Sequence, residues 1–398
     1  MPLILGSIFA APLFMVGGLT LTGDRLLGLL ALAVLIGLGV RRRLRWMPLH
    51  SALALFVGVQ LLTTLGNAGS WPQGLKFVTI YVLGFAAFCC AAESARTPAG
   101  RQSFVIGWIV VGAGLGMIAT LSAVWANLSQ HLVWGTAIVP PLSLDPMPPR
   151  VVFAGVATFP EQNLLSSFLL VPFGLGLWLW HSRWMTAALA AVVFGLVFGF
   201  TRAAWLSMAG IVALWCWMER PPWRRVAALG AMLSLALLVQ AAVVGASPLE
   251  FRILDPIKAG HDRNVSGRVE LNKVTIDSWL TRPVVGHGAG SLNRLSIVRP
   301  SGKRIEKIWN GNLVLFVLHD SGLIGLGALL WLSVVAWRRG TRVLPLLAIG
   351  AGLFFAYQFT HGLWLMYPYV YLGLLAAATD DASEASRPRA SRPRPGAP

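Results

Sequence analysis

Charge is scarce in this chain of 398 residues: only 12% are Asp, Glu, Lys or Arg, and the acidic ones number 15. An average soluble domain carries roughly a quarter. So little charge excludes a water-soluble protein of this size. Cysteine is rarer still, at 3, which excludes a disulfide framework. Cys89 and Cys90 are adjacent in one apolar run and Cys216 lies in another, so a CxxC metal site is excluded as well, and small buried side chains are expected. The 42 glycines follow no period, and bulky apolar residues are too abundant for a disordered chain. What is present is 56% hydrophobic residues and a mean hydropathy of +0.69, the composition of a polytopic membrane protein.

A helical span needs roughly 17 to 25 mostly apolar residues. On that basis the sequence predicts an all-α protein with about twelve transmembrane helices, near 3-21, 26-40, 49-65, 75-92, 104-124, 162-180, 185-200, 203-218, 226-244, 313-336, 343-359 and 363-378. The amino-terminal run lacks a preceding basic region and a convincing cleavage site, so it reads as a retained span. The transmembrane domain covers 1-379, and the Ser-, Arg-, Pro- and Ala-rich residues 380-398 read as a disordered basic tail.

The net charge of +17 suggests nucleic acid only if the basic residues form one soluble face, and they do not. They lie in alternate loops: Arg41, Arg42, Arg43 and Arg45, then Arg96 and Arg101, Arg183, Arg220 with Arg224 and Arg225, Arg338 with Arg339 and Arg342, and the tail. Basic short loops are retained in the cytoplasm, so these mark the cytoplasmic side, together with both termini. The short outer loops carry only Arg25, Lys76, Arg150 and Arg202. Two outer segments are too long to be connectors, 125-161 and 245-312. The second holds eleven Lys or Arg against six Asp or Glu. A translocated loop has no topological need for that excess. It points to an anionic partner, either a phosphate-bearing substrate or lipid head groups.

Arg202 stands in a tight turn between two apolar runs, where its planar fork of donors suits phosphate; the alternative is an interfacial arginine with its stem in the membrane edge. In the large loop, Val269, Ile276 and Leu280 fall on one face of a helix that Pro283 ends, an amphipathic helix lying on the membrane. Arg268 is expected in its first turn, where free N–H groups already favour an anion. Gly286-His287-Gly288-Ala289-Gly290 reads as a flexible turn, since the GxGxxG spacing is absent. Asn163 either caps the sixth span or binds a sugar hydroxyl. Asn312 opens the tenth, which carries His319 and Asp320; ionisable groups inside a span are either functional or paired with another helix. Gly112 with Gly116, and Gly195 with Gly199, are helix-packing notches.

Taken in order, Phe159 to Asn163, Thr201-Arg202-Ala203-Ala204, Ser266-Gly267-Arg268 through Trp279 and Pro283 to Gly286-His287-Gly288, and Asn312 with Gly322 and Gly325, resemble the O-antigen ligase and polymerase superfamily of bacterial envelope glycosyltransferases. The likeness covers about 150-335. It implies an inner-membrane enzyme of cell-surface polysaccharide assembly that moves a glycan from undecaprenyl diphosphate to a hydroxyl of a saccharide, lipid or protein acceptor at the periplasmic face, with neither metal nor cofactor. By the same resemblance Arg202 and Arg268 hold the diphosphate, and Asn163 and Asn312 are candidates for glycan or acceptor binding. The family pattern has a histidine before the Asn of the tenth span, followed after nine residues by Gly and after two more residues by a second Gly. Here Gly311 takes the histidine's place. His287 and His361 are then the candidate general bases, and Gly311→His is expected to raise activity if the missing base is the limitation. The other class of reading is a transporter or flippase, or an inactive binder, of a lipid-linked saccharide.

Overall fold

The computed structural model describes residues 12–16, 19–40, 45–67, 71–138, 152–245, 263–298, 304–306 and 310–385. Among them the chain is mostly helical, and eleven of the expected spans coincide with helices: α1 (Gly23–Val40), α2 (Pro48–Leu65), α3 (Trp71–Ser94), α4 (Pro98–Ser129), α5 (Gln162–Trp178), α6 (Arg183–Phe198), α7 (Arg202–Glu219), α8 (Trp223–Val244), α10 (Leu313–Gly340), α11 (Leu344–Ala356) and α12 (Tyr367–Ala385). The remaining helix, α9 (Arg263–Trp279), lies in the large loop. Five helices are long and apolar enough to cross a membrane by length and composition: α2, α3 from Gly74, α4, α8 and α10.

The expected span at 3-21 is corrected. Its described part is an antiparallel pair, β1 (Pro12–Val16) with β2 (Leu19–Thr22), in which Val16 faces Leu19. The reason is local: Pro12 has no N–H to give a helix, and Gly17-Gly18 is a dipeptide suited to a two-residue turn. Strands of five and four residues are too short to cross, where a spanning β-strand needs about 9–11 residues. Helix α12 continues past Asp380 to Ala385, later than the expected start of the tail. Arg41, Arg42, Arg43, Arg150 and the tail arginines lie outside the described residues.

The core is built by close approach of small residues. A methyl group on Gly195 would stand 2.5 Å from Gly116 Cα, and Gly116 in turn abuts the Ala191 carbonyl, so these two of the four expected notch glycines are where α4 and α6 meet, while Gly199 faces Ser166 of α5. Pro172, inside α5, fits against Gly112 of α4. In the first of the two long segments Asn127 holds a small antiparallel pair of β3 (Thr136–Ile138) and β4 (Phe153–Gly155). Its side chain gives and takes hydrogen bonds with Phe153, at 2.7 and 3.0 Å.

Loops of equal parity gather at the same end. Arg25, Lys76, Glu161, Asn293 and Trp364, from five segments expected on the outer side, surround one cavity. At the other end Arg45 pairs with Asp380 at 3.3 Å, beside Arg339.

Helix α10 is broken at Gly322, whose φ of 64° and ψ of −159° only glycine adopts readily. The break strands carbonyls before it and N–H groups after it, and such groups must find partners inside a membrane protein. The segment after α9 supplies them. His287 and Gly288 donate to the carbonyls of His319 and Asp320 at 3.0 and 2.8 Å, while Leu323 and Ile324 donate to those of Pro283 and Val284 at 2.9 and 3.3 Å. The expected flexible turn at Gly286–Gly290 is therefore corrected: these residues are wedged into the break, and all but His287 are buried. A Cβ on Gly322 would lie 2.3 Å from the Val284 carbonyl oxygen, whereas Gly327 on the same helix has open space. Gly322→Ala should thus cost at least about 1–3 kcal/mol from backbone conformation alone. Its thermal unfolding in detergent should begin several degrees below that of the wild type, with Gly327→Ala unchanged; equal unfolding of all three would contradict the wedge.

Candidate functional site

The site grows from two ties that hold α9 against α10. Near the start of α10, Asn310 donates from Nδ2 to Asn272 Oδ1 and Thr275 Oγ1, at 3.1 and 2.8 Å, and accepts from the Asn312 N–H at 2.9 Å. Farther along, Ser278 Oγ meets His319 Nε2 at 3.1 Å. Asp320 next to it accepts from the Gly290 N–H at 2.7 Å and the Ser291 hydroxyl at 3.3 Å, and its other contact is His319 Nδ1 at 3.4 Å. His319 and Asp320 are thus paired groups that fix the wedge and the end of α9, as the second of the two expected readings has it.

Arg268 shares a helical face with Asn272 and Thr275, at spacings of four and seven, so the ties to Asn310 turn it toward the head of α10. Its guanidinium carbon stands 5.5 Å from the centre of the Phe359 ring, a cation–π contact. The expected first-turn position is corrected: α9 begins at Arg263, which places Arg268 at the sixth residue, past the helix's free N–H groups. The outward stripe is as expected, with Val269, Ile276 and Leu280 exposed.

Glu161, the residue before α5, lies close enough to Arg268 to feel its charge. Burial raises the Glu161 carboxyl above its ordinary value, and the Arg268 guanidinium partly offsets that. Arg202 is the first residue of α7, after a turn in which Phe200 takes a positive φ of 51°. Thr201 beside it accepts a hydrogen bond from Ser166 of α5 at 3.2 Å. Arg268 thus acts at the start of α5, and the residue before Arg202 touches the second turn of that helix. Below Arg202, at helical spacings from Trp205 through Met208 and Val212, α7 lines an apolar cleft of about 490 Å³, closed by Val193 of α6 and by Leu229 and Leu233 of α8.

The other expected residues have structural surroundings. Asn312 Oδ1 caps α10 by accepting the Leu315 N–H at 2.9 Å. Asn163 is not a cap, because α5 begins at Gln162 after Glu161. His287 stacks on His319 with centroids 4.9 Å apart, its Nε2 lying 2.9 Å from the Ser278 carbonyl oxygen. Burial, and then the charges of His319 and Arg282, lower its pKa; the Ser278 carbonyl and Asp320 oppose them. His361 is fully buried against Phe316 at 4.1 Å, and burial lowers its pKa to about 3. It is a neutral, weakly basic imidazole.

The loop that carries His361 also explains Gly311. The Gly311 carbonyl accepts from the His361 N–H at 3.0 Å, and Leu313 donates to the Tyr357 carbonyl at 2.9 Å. A Cβ on Gly311 would stand 2.2 Å from the Phe359 carbonyl oxygen. Backbone fills the space a side chain needs, so Gly311→His is expected to cost stability. Sequence reasoning missed Glu161, Ser278, Asn310 and Phe359 as individual residues, and only their positions beside quoted motifs hinted at them.

No group of three or more His, Cys, Asp or Glu among the described residues is arranged to hold a metal ion. Residues 186–330 match the family model described as O-antigen ligase, which spans Arg202, Arg268 and the broken helix but not Glu161 or His361. No curated protein matches the chain. Gly311→Ala and Gly311→His should both lower the thermal midpoint in detergent, the latter more. A histidine variant as stable as the wild type would show that the loop yields to it.

Proposed function

We infer, from a multi-pass membrane chain whose residues 186–330 carry an O-antigen ligase-related region, that the protein is a glycosyltransferase joining a lipid-diphosphate-linked glycan to an acceptor hydroxyl. The observation that carries this reading is Arg202 at the first residue of α7, one turn ahead of the apolar cleft that this helix lines, with Arg268 acting on Glu161 just before α5. A ligand with an anionic head and a long apolar tail matches a cation above an apolar cleft, and undecaprenyl diphosphate has that form. Two guanidinium groups on the diphosphate neutralise the charge that grows on the leaving oxygen as the sugar–phosphate bond breaks, so that the leaving group needs no proton.

The fixed ties of α9 support preorganisation. The cation is in place before substrate arrives, held by Asn310 and by the Ser278–His319 contact. The reaction side is the end where the outer-loop residues gather, read as the periplasmic face of a bacterial inner membrane. The hairpin ahead of α1 supports placing residue 12 on that same side, opposite the Asp380 end, in place of the expected cytoplasmic start.

Loss of one preorganised donor to a developing anion typically costs about 10²- to 10³-fold in rate. Arg268→Ala and Arg202→Ala should each reduce glycan transfer by that order in proteoliposomes supplied with lipid-diphosphate-linked donor, at wild-type insertion. Transfer at the wild-type rate in either variant would overturn the clamp. Movement of labelled carrier across the bilayer, with no glycosidic bond made by the wild type, would replace the enzyme by a transporter.

A further inference from the structure

The cavity between the outer ends of the helices has no part in the reading above. Its volume is about 490 Å³, within the roughly 300–1,000 Å³ typical of small-molecule sites. Arg25 from α1, Lys76 from α3, Asn293 from the short helix after the wedge, Trp364 from the loop before α12, and Glu161 line it, with Phe77 beneath. Two cations attract a phosphate or carboxylate, an amide can bridge hydroxyls, and an indole offers an apolar face to the C–H side of a pyranose ring. Glu161 belongs both to this wall and to the surroundings of Arg268. A hydroxyl held in the cavity and a diphosphate held by Arg268 would meet at that carboxyl.

We propose that this cavity binds the acceptor, a saccharide bearing phosphate or carboxylate, and that Glu161 takes the proton from its attacking hydroxyl. The proposal rests on the transferase reading. In the step, the acceptor oxygen bonds to the anomeric carbon, and the bond from that carbon to the diphosphate oxygen breaks with its electron pair leaving on the diphosphate. The hydroxyl proton passes to the Glu161 carboxylate. The two histidines are built into the scaffold and Gly311 offers no base, so a carboxylate between the two substrates supplies what the family pattern assigns to histidine.

The charged groups facing Glu161 are Arg25 from α1, Lys76 from α3 and Arg268 from α9. Burial outweighs Arg268 and leaves the carboxyl more basic than an ordinary one. The active carboxylate form therefore grows as pH rises through this raised value, giving the rate an acidic limb above the usual carboxylate range.

The binding half is tested without turnover. A Cys216→Ser chain carrying Asn293→Cys, in phosphatidylcholine nanodiscs, is labelled with a maleimide in the presence of glucose 6-phosphate, glucose or inorganic phosphate. Glucose 6-phosphate should protect at concentrations about tenfold below either alternative, and Lys76→Ala should remove that advantage. Protection by inorganic phosphate as good as by the sugar phosphate, or no protection at all, would overturn the cavity's assignment.

The proton-transfer half uses the reconstituted transfer reaction. Glu161→Gln should lower kcat by about 100-fold or more with little change in acceptor KM, and should abolish the acidic limb. An unchanged kcat, a loss confined to KM or a persisting limb would overturn the role of Glu161. Failed protection alongside normal transfer sinks the cavity alone. A wild type that forms no glycosidic bond sinks the transferase reading whatever the labelling shows.

Discussion

Four backbone groups set free where α10 breaks at Gly322 are the constraint on which the outer rim depends. In a bilayer they have no water to turn to, so a chain that breaks a spanning helix must bring a second segment to pair them. Here that segment follows α9 directly, and the pairing at His319, Asp320, Leu323 and Ile324 fixes where α9 ends. Asp320 adds its carboxylate to the Gly290 N–H, and Thr64 of α2 accepts the neighbouring Ala289 N–H at 3.0 Å. The wedge is thus held from both sides by buried groups that lose their partners if it withdraws, a loss of roughly 1–3 kcal/mol for each polar group left unsatisfied.

From that constraint the position of Arg268 follows. With one end of α9 fixed by the wedge and the middle by Asn310, its face toward α10 is set, and Arg268 meets Phe359 of the loop between α11 and α12. The same loop closes on Gly311 and buries His361. One feature of the packing thereby accounts for two facts: residue 311 has no room for a side chain, and the nearby His361 is too buried to serve as a strong base. Electrostatics then concentrates at the mouth of α5, where the Arg268 guanidinium acts on the Glu161 carboxyl of raised pKa.

Much of this was legible in the sequence wherever hydrophobicity alone decides the outcome. Eleven apolar helices, the outward stripe of Val269, Ile276 and Leu280, and the packing role of Gly116 and Gly195 follow from periodicity and side-chain size. The first span was misread because hydropathy alone does not register that Pro12 lacks an N–H for a helix, and residues 12–16 and 19–22 pair as strands instead. Gly286–Gly290 looked flexible because glycines near a loop permit many conformations; that these fill the break at Gly322, far along the chain, is a tertiary fact. Glu161 was hidden for a related reason. Its meaning comes from Arg25, Lys76, Trp364 and Arg268, four residues scattered over most of the chain.

The account's central claim is that the broken helix rigidly positions the helix carrying Arg268. It is tested most directly by the distance distribution between nitroxide labels at Val269→Cys and Leu330→Cys, both exposed sites, in a Cys216→Ser background. A single narrow distribution is predicted, broadening markedly when Asp320→Ala is added. A broad distribution in the otherwise native chain, or one that Asp320→Ala leaves unaltered, would contradict it.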